Sequence, residues 1–166
     1  MRHTAYIGIG SNLGDPLAQL AQAVLRLAGQ GIRVRRISSV YRSEPLGPVR
    51  EQPDFLNAVV EVQTSLAPRP LLERCLALEA EMGRERGLHQ GPRIIDLDVL
   101  LVDDLVVSEP GLELPHPGMT GRAFVLEPLL ELAPVLTNPR DGEPLQTLRE
   151  KVQHQRIQRL GPLSPA

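Results

Sequence analysis

The sequence predicts an α+β fold with a ferredoxin-like core. Its predicted elements follow the order strand, helix, strand, strand, helix, strand, an arrangement in which helices cover one face of an antiparallel sheet. A length of 166 residues suits one hydrophobic core. We therefore expect a single domain over residues 1–160, with C-terminal additions to the core, and a frayed end at residues 161–166 (GPLSPA).

The first three predicted elements are a strand, a helix and a strand. Residues 4–9 (TAYIGI) form a short apolar strand. Asp15 is a suitable helix cap and Pro16 a suitable first helical residue. From there to Ala28 apolar residues recur at helical spacing, which gives the helix one apolar face to lay on a sheet. Residues 32–41 (IRVRRISSVY) alternate as a half-exposed strand.

The next three elements repeat this pattern. Residues 55–64 (FLNAVVEVQT) are rich in β-branched side chains and pair, in our interpretation, with the preceding strand across the loop EPLGPVREQP. Pro68 opens a second helix, and Gly83 ends it. Residues 93–102 (RIIDLDVLLV) carry the strongest strand signal in the chain. Three shorter elements are predicted after it: a strand near 105–107, a helix near 125–132 and another from Leu145.

Composition excludes several classes of protein. Hydrophobic residues make up 42% and charged residues 23%, as in ordinary globular domains. No segment approaches the roughly 18 consecutive apolar residues of a membrane span, and the apolar stretch near the N-terminus is too short for a secretory signal. We expect a cytoplasmic protein. A net charge of -2 argues against nucleic-acid or membrane binding driven by bulk charge.

Two scarce residue types exclude further chemistry. Cys75 is the only cysteine, so the chain forms no internal disulfide and no cysteine-based zinc site. Its apolar surroundings indicate a buried side chain that fills space in the core. Lys151 is the only lysine and lies far from any glycine-rich turn, which excludes a phosphate-binding loop built on lysine.

Two aspartates in the strongest strand predict a metal site. Asp96 and Asp98 are two residues apart, so both point to one face of the strand, with Cα atoms about 6.6 Å apart at 3.3 Å per residue. Carboxylate oxygens favour magnesium or manganese, and this spacing suits a metal pair. The alternative is two solvated aspartates. It is less favoured because Asp is rare in strands and because neighbouring like charges repel without a cation.

Arginines flank the two aspartates in sequence. Arg84, Arg86 and Arg93 surround a glycine-containing loop that also carries His89 and Pro92. Guanidinium groups beside a metal-binding carboxylate pair are typical of polyphosphate transfer, where they spread the charge of the phosphates. The alternative is that these arginines only solvate the end of a helix.

Scarce aromatic residues indicate where a flat ligand binds. The chain has two tyrosines and two phenylalanines. Phe55 and Phe124 each follow a loop, so two rings could enclose a heterocycle, and Asn57 on the face of Phe55 offers hydrogen bonds to its edge. His116 and Arg122 lie in the loop before Phe124. The alternative is that both phenylalanines belong to the core and that His116 is structural.

Five segments give these residues a family context. In order and spacing, YIGIGSNLGDP, SSVYRSEPLGP, QPDFLNAVVEV, GPRIIDLDVLL and LPHPGMTGRAFVLEPLLELAP resemble the 6-hydroxymethyl-7,8-dihydropterin pyrophosphokinases of folate biosynthesis, over residues 4–136. The resemblance implies a ferredoxin-like core. It also implies a reaction that moves the terminal diphosphate of ATP to the pterin hydroxymethyl group and releases AMP.

The resemblance implies a role for each candidate residue. Two magnesium ions bridging the ATP phosphates would bind Asp96 and Asp98, and Arg84 and Arg93 would assist the transfer. The residues implied to contact the pterin are Ser43, Leu46, Phe55, Asn57 and Phe124. Those implied to contact ATP are Glu79, Arg86, His116 and Arg122. ATP and the pterin are the only partners implied, with no nucleic acid, membrane or obligate protein partner.

This chain departs from the family pattern at Gln90, Gly111, Glu113 and Pro117, where members often carry an aromatic, Arg, a hydroxyl residue and an aromatic. The departures bear on loop closure and nucleotide affinity. Both loops, EPLGPVREQP and MGRERGLHQGPR, are expected to close when ATP binds.

Two rival functions stay open at this point. One is a non-catalytic ferredoxin-like module that binds a small effector or RNA, since this fold hosts many functions. It leaves the two aspartates unexplained, and RNA binding also lacks the expected exposed aromatics and basic face. The other is an ordinary kinase or nucleotidyl transferase that uses the same metal chemistry. The nucleotide product distinguishes these enzymes, because diphosphate transfer releases AMP and an ordinary kinase releases ADP.

Overall fold

The computed structural model describes residues 2–47, 49, 51–83 and 94–163. The strands are β1 (His3–Ser11), β2 (Ile32–Ile37), β3 (Ser39–Ser43), β4 (Phe55–Thr64), β5 (Asp96–Val102), β6 (Val107–Glu109), β7 (Leu112–Leu114) and β8 (Ile157–Pro162). The α-helices are α1 (Pro16–Leu27), α2 (Pro68–Glu81), α3 (Ala123–Leu132) and α4 (Leu145–Lys151), and a 3-10 turn covers Met119–Gly121. Among these described residues, no helix has the length and apolar character needed to cross a bilayer.

The main sheet has the strand order β5-β1-β4-β3-β8, and β2 also pairs with β4. All of its pairs are antiparallel. With β2 and β3 taken together as one edge, the order of the first five strands is that of a ferredoxin-like sheet, so the predicted fold class is confirmed. A separate hairpin of β6 and β7 follows β5.

The predicted strand over 32–41 is instead two strands that divide at Ser38. The Ser38 backbone N–H donates to the Val59 carbonyl at 2.9 Å, while its hydroxyl accepts from the Val59 N–H at 2.8 Å. A side chain therefore takes the place of a backbone carbonyl in the ladder. The regular pairing with β4 stops after Ile37 and resumes at Tyr41, which lies opposite Asn57, so β2 and β3 pair with different parts of β4.

The predicted helix starts are confirmed. Asp15 accepts a hydrogen bond from the Ala18 N–H at 3.2 Å, and Pro16 is the first residue of α1. Pro68 begins α2, and Gly83 follows its end with φ of 84°, a left-handed conformation that glycine adopts without strain.

Helices cover both faces of the sheet. α1 and α2 lie on one face, where residues such as Ile7, Val60 and Leu97 form a buried apolar cluster with Leu20 and Leu78. The adjacent residues of the same strands point the other way. There Tyr6, Val59 and Leu100 pack against α3 and α4 through side chains that include Leu126, Leu129 and Leu148. The expected helices on one face are therefore α1 and α2, and the C-terminal helices cover part of the second face.

The C-terminal segment differs from the sequence expectation. Gly161 and Pro162 belong to β8 and pair with Val40 and Ser39 of β3, and Leu163 is buried. The predicted frayed end is wrong for these residues, because ladder pairing and burial fix them to the sheet edge; residues 164–166 lie outside the described part. The short strand predicted near 105–107 begins at Val107 instead, since a turn in which the Leu105 N–H donates to the Val102 carbonyl precedes it.

Candidate active site

A cleft of about 730 Å³ opens on the second face of the sheet, beside α3. Every predicted site residue within the described part of the chain lines it: Ser43, Leu46, Phe55, Asn57, Glu79, Asp96, Asp98, His116, Arg122 and Phe124. Gly111, Glu113 and Pro117, three of the departures from the family pattern, also line it. Arg84, Arg86, Gln90 and Arg93 lie outside the described residues.

The floor of the cleft consists of two rows of residues that cross three strands. In one row Asp96 of β5 lies opposite Gly10 of β1, which lies opposite Asn57 of β4. In the next row Asp98 lies opposite Gly8. The register of the sheet thus places the carboxylates on one side of the floor and the Asn57 amide on the other, with glycine between them.

Gly8 and Gly10 are functional positions that the sequence reasoning missed. A Cβ atom at Gly10 would lie 3.0 Å from Asn57 Oδ1, and one at Gly8 would lie 3.4 Å from a Leu100 methyl group. The two glycines therefore keep the floor low, so that a ligand can approach the backbone. The available signal was the alternation in YIGIGS, since glycine inside a strand often marks a close approach of a ligand or another chain segment.

Asp96 and Asp98 have the donor set and setting that suit magnesium. Both carboxylates are half-buried and point into the cleft, whereas Leu97 and Val99 between and beyond them point into the core. Within the described residues no group of three or more His, Cys, Asp or Glu side chains is arranged to hold a metal ion. Magnesium commonly binds one or two carboxylates and completes its shell with water and substrate phosphates, so two aspartates fit it.

Glu79 ties helix α2 to the strand that carries Asp96 and Asp98. Its side chain is buried, and its carboxylate accepts a hydrogen bond of 2.7 Å from the backbone N–H of Leu97. Leu97 lies between the two aspartates, so this bond fixes the backbone that carries both of them. The resemblance implied a nucleotide contact for Glu79, and the structure adds this backbone contact.

His116 faces Asp98 from the wall of the cleft. Its Nδ1 accepts the Gly118 N–H at 3.0 Å, and its Nε2 lies 3.7 Å from Asp98 Oδ1. Burial, and then the positive charge of Arg122, lower the pKa of His116 despite the opposing effect of Asp96 and Glu113. A neutral ring that accepts through Nδ1 carries its proton on Nε2, and this N–H points toward the carboxylate side of the cleft.

The other end of the cleft combines an oriented amide with two aromatic rings. Asn57 Nδ2 donates to Ser43 Oγ at 2.7 Å, and both side chains are buried. Phe55 begins β4 opposite Ser43, and Phe124 lies in the first turn of α3, with the Arg122 guanidinium carbon 5.9 Å from its ring centroid. Both rings are half-buried and line the cleft, and Phe124 also packs against the apolar cluster of the second face. Their exposure to the cleft favours the ligand interpretation of these phenylalanines.

Relatives of known name share this chain's sequence and fold. It is 51% identical over 133 residues to a 2-amino-4-hydroxy-6-hydroxymethyldihydropteridine pyrophosphokinase of Methylorubrum extorquens. The aligned region covers 80% of this chain and 84% of the relative. A protein of the same name from Pseudomonas aeruginosa is 43% identical, with 96% of this chain and 98% of the relative covered.

Longer proteins also contain a region like this chain. A folic acid synthesis protein of Schizosaccharomyces pombe is 42% identical over 92% of this chain, which spans 21% of that relative. The structure of Plasmodium falciparum HPPK-DHPS has the same fold with a TM-score of 0.72 at 14% identity; the likeness covers 96% of this chain and 48% of that one.

The family match completes the identification. The model of the family described as 7,8-dihydro-6-hydroxymethylpterin-pyrophosphokinase (HPPK) matches residues 6–134, which is most of the chain. Together with the named relatives, it defines the class of this protein as an ATP-dependent diphosphotransferase. The chain belongs to the 7,8-dihydro-6-hydroxymethylpterin-pyrophosphokinase family.

Proposed function

We propose that this protein transfers the β,γ-diphosphate of ATP to the hydroxymethyl group of 6-hydroxymethyl-7,8-dihydropterin and releases AMP, as a step in tetrahydrofolate biosynthesis. The hydroxymethyl oxygen forms a bond to the β-phosphorus and loses its proton to solvent. The bond between that phosphorus and the oxygen that bridges it to the α-phosphate breaks, and AMP leaves with the bridging oxygen. ATP and the pterin are the partners that this reaction requires.

One observation carries the proposal: the row in which Asp96, Gly10 and Asn57 lie side by side on the cleft floor. The carboxylate end of this row suits a metal–polyphosphate complex, and the amide end suits the edge of a heterocycle. Because the glycine between them has no side chain, a hydroxymethyl group on the heterocycle can lie next to the phosphate that it attacks. Such positioning is the main contribution of a protein to phosphoryl transfer.

The metal-binding part of the proposal assigns two magnesium ions to Asp96 and Asp98. Bound magnesium would neutralise charge on the phosphate oxygens and orient them. Glu79 holds the strand between the two aspartates through its bond to Leu97. Neutral His116 presents its Nε2–H beside Asp98. There this N–H can donate to a phosphate oxygen without adding another positive charge to that of Arg122.

The remaining roles follow the two ends of the cleft. Phe55 and Phe124 would stack on the pterin ring, and Asn57, oriented by Ser43, would bond to its edge near Leu46. Arg122 would lie on the ATP side, and Arg86 would join it there. Arg84 and Arg93 would assist the transfer by donating to the phosphates.

The test is a product assay. Purified protein is incubated with ATP, magnesium and 6-hydroxymethyl-7,8-dihydropterin, and AMP and ADP are measured separately. The variants Asp96→Ala and Asp98→Ala are compared with Asp104→Ala, which removes an exposed carboxylate beyond the end of β5. We expect pterin-dependent AMP from the wild type and from Asp104→Ala, and little from the other two variants.

Other products would identify the rival functions. Pterin-dependent ADP would mean an ordinary kinase. Absence of either nucleotide from folded protein that still binds the pterin would mean a non-catalytic pterin-binding protein. AMP that persists undiminished in both cleft variants would exclude the proposed metal-binding role of the two aspartates.

A further inference from the structure

The Gln155 side chain brackets the backbone of a cleft residue. Gln155 lies in the turn between α4 and β8, where its own N–H donates to the Val152 carbonyl at 2.9 Å. Its side-chain oxygen accepts the Ala123 N–H at 2.9 Å, and its side-chain nitrogen donates to the Gly121 carbonyl at 2.8 Å. These two groups belong to the peptide units immediately before and after Arg122.

The two side-chain hydrogen bonds of Gln155 lie at the junction of two helical segments. The 3-10 turn ends at Gly121 and α3 begins at Ala123, so Arg122 between them is extended, with φ of -128° and ψ of 112°. The first N–H groups of a helix have no partner within the helix, and α3 has no side-chain cap from its own N-cap residue. Gln155 supplies that partner from 32 residues further along the chain.

The backbone of Arg122 sets the position of two cleft side chains. The Arg122 guanidinium packs over Phe124 and against Gly118, where an added Cβ would lie 2.6 Å from the guanidinium carbon. A rotation of either peptide unit flanking Arg122 would move the guanidinium and would tilt the first turn of α3, which carries the Phe124 ring. The carboxylate of Glu131 holds α3 at its other end, where it accepts the Tyr41 hydroxyl at 2.6 Å.

We propose that Gln155 is a positioning residue of this enzyme, and that it sets both the guanidinium of Arg122 and the ring of Phe124 by bracing the backbone between them. Gln155 lies beyond residues 6–134, the region that the family model matches. Gln155 and Phe124 both line a side cavity of about 500 Å³, which shares Ser43, Glu44, Leu46 and Phe124 with the cleft. The inference rests on the proposed function, since it names the residue that aligns the same site.

The experiment compares Gln155→Ala and Gln155→Glu with Arg149→Ala. Glutamate retains the acceptor for the Ala123 N–H but, when ionised, repels the Gly121 carbonyl. Arg149 is the matched control, because its bond of 2.8 Å to Glu127 also ties the C-terminal segment to α3. Its side chain also donates to the Val152 carbonyl at 3.4 Å, and neither Glu127 nor Val152 lines the cleft. Each variant is measured for kcat and KM with each substrate, and for melting temperature.

We expect kcat/KM for both substrates to fall about ten- to a hundredfold in Gln155→Ala, as displaced positioning groups commonly cause, and less in Gln155→Glu. Arg149→Ala should stay within about twofold of the wild type. Equal kinetic constants for Gln155→Ala and Arg149→Ala, in proteins of equal melting temperature, would overturn the proposal, because Gln155 would then be only a stabilising contact.

Two further measurements separate this inference from the proposed function. A wild type that forms no pterin-dependent AMP would contradict the proposed function without involving Gln155. Binding of the pterin to each variant is measured by the fluorescence of the pterin, with a non-hydrolysable ATP analogue present. The chain has no tryptophan, so pterin fluorescence is read without a tryptophan signal. Hydrogen exchange of the Ala123 backbone N–H tests the hydrogen bond to Gln155 in the absence of ligands. Faster exchange in Gln155→Ala than in Arg149→Ala supports the proposed positioning role, and equal exchange in the two variants contradicts it.

Discussion

The two faces of the sheet use the same strands in different ways. On the face under α1 and α2, the buried residues in the middle of β1, β4 and β5 are apolar, as in Ile7, Val60 and Leu97, and the buried polar residues Ser11 and Thr64 lie at strand ends. On the other face the inward residues change along the strands. Leu100 of β5 and Val59 of β4 still pack against α3, whereas the same face carries Asp98 and Asn57 two residues earlier in each strand.

This difference shows that one face of the sheet mainly stabilises the fold, whereas the other also carries the residues of the candidate active site. The continuous apolar face needs only matching hydrophobic shape, which many sequences supply. The second face must hold carboxylates, a fixed amide and two glycines in register, at positions where an apolar side chain would be the stable choice. Neighbouring residues of one strand therefore answer to different requirements, and single substitutions can test the separation.

The largest effect is expected on the cleft face, from Asp98→Asn. If Asp98 is the metal ligand proposed above, loss of its charge should lower the rate of AMP formation by about two to three orders of magnitude. The melting temperature should stay at or above that of the wild type, because like-charge repulsion with Asp96 is removed. The measurement pairs the product assay with thermal unfolding. A variant that melts well below the wild type would show that Asp98 also supports the fold.

The opposite outcome is expected one residue away, from Leu97→Ala. Leu97 is 3% exposed and belongs to the continuous core. Its truncation leaves a cavity, so the free energy of unfolding should fall by about 2–5 kcal/mol, as measured by urea denaturation. Its backbone bond to Glu79 remains, and kcat per folded molecule should therefore stay close to that of the wild type. A hundredfold loss of kcat in the folded fraction would show that this residue of the apolar face also affects catalysis, which contradicts the contrast between the two faces.

A smaller effect is expected from Gly118→Ala in the wall of the cleft. The added methyl group would meet the Arg122 guanidinium, whose carbon lies 2.6 Å from the ideal Cβ position, so the guanidinium must move away from its place over Phe124. We expect KM for ATP to rise about tenfold, with unfolding free energy changed by about 0.5 kcal/mol or less. Gly121→Ala is the matched control, since nothing lies within 4 Å of its Cβ position. Equal KM values for the two variants would exclude the displacement.

The smallest effect is expected when a thiol reagent tests whether solvent reaches the apolar core under α1 and α2. Cys75 on α2 is fully buried, and burial, followed by the charge of Glu79, raises the pKa of its thiol to about 12. A protonated, buried thiol is a poor nucleophile, so iodoacetamide at pH 8 should leave the native protein unmodified and should label it once urea unfolds it. Rapid labelling of native protein would show that this face opens to solvent.

The sequence predicted the parts of the site that depend on local periodicity. The spacing of Asp96 and Asp98 fixes them on one face because side chains alternate along a strand, and the structure places both in the cleft. Phe55 and Asn57 follow by the same rule. Asp15 and Pro16 marked a helix start through chemistry confined to a few residues. In each case one local rule decides the outcome.

Features that depend on contacts between distant segments were not predictable in this way. Ser38 divides the strand over 32–41 because its hydroxyl bonds to Val59, a partner 21 residues later. Gly8 and Gly10 gain their role only from the register with Asn57 and the aspartates. Residues 161–163 have the composition of a loose end, yet the free edge of β3 orders the first two of them.

The distance between Gln155 and Arg122 along the chain also affects how the protein is made. On the ribosome the strands that carry Asp96, Asp98 and Asn57 are made before Gln155, as is Arg122, and β8 is added after every other strand of the main sheet. A domain generally folds as a unit, so on the proposed role of Gln155 the wall of the cleft would be aligned only after the turn before β8 has been translated. The proposed binding site would then be completed in one of the last steps of synthesis.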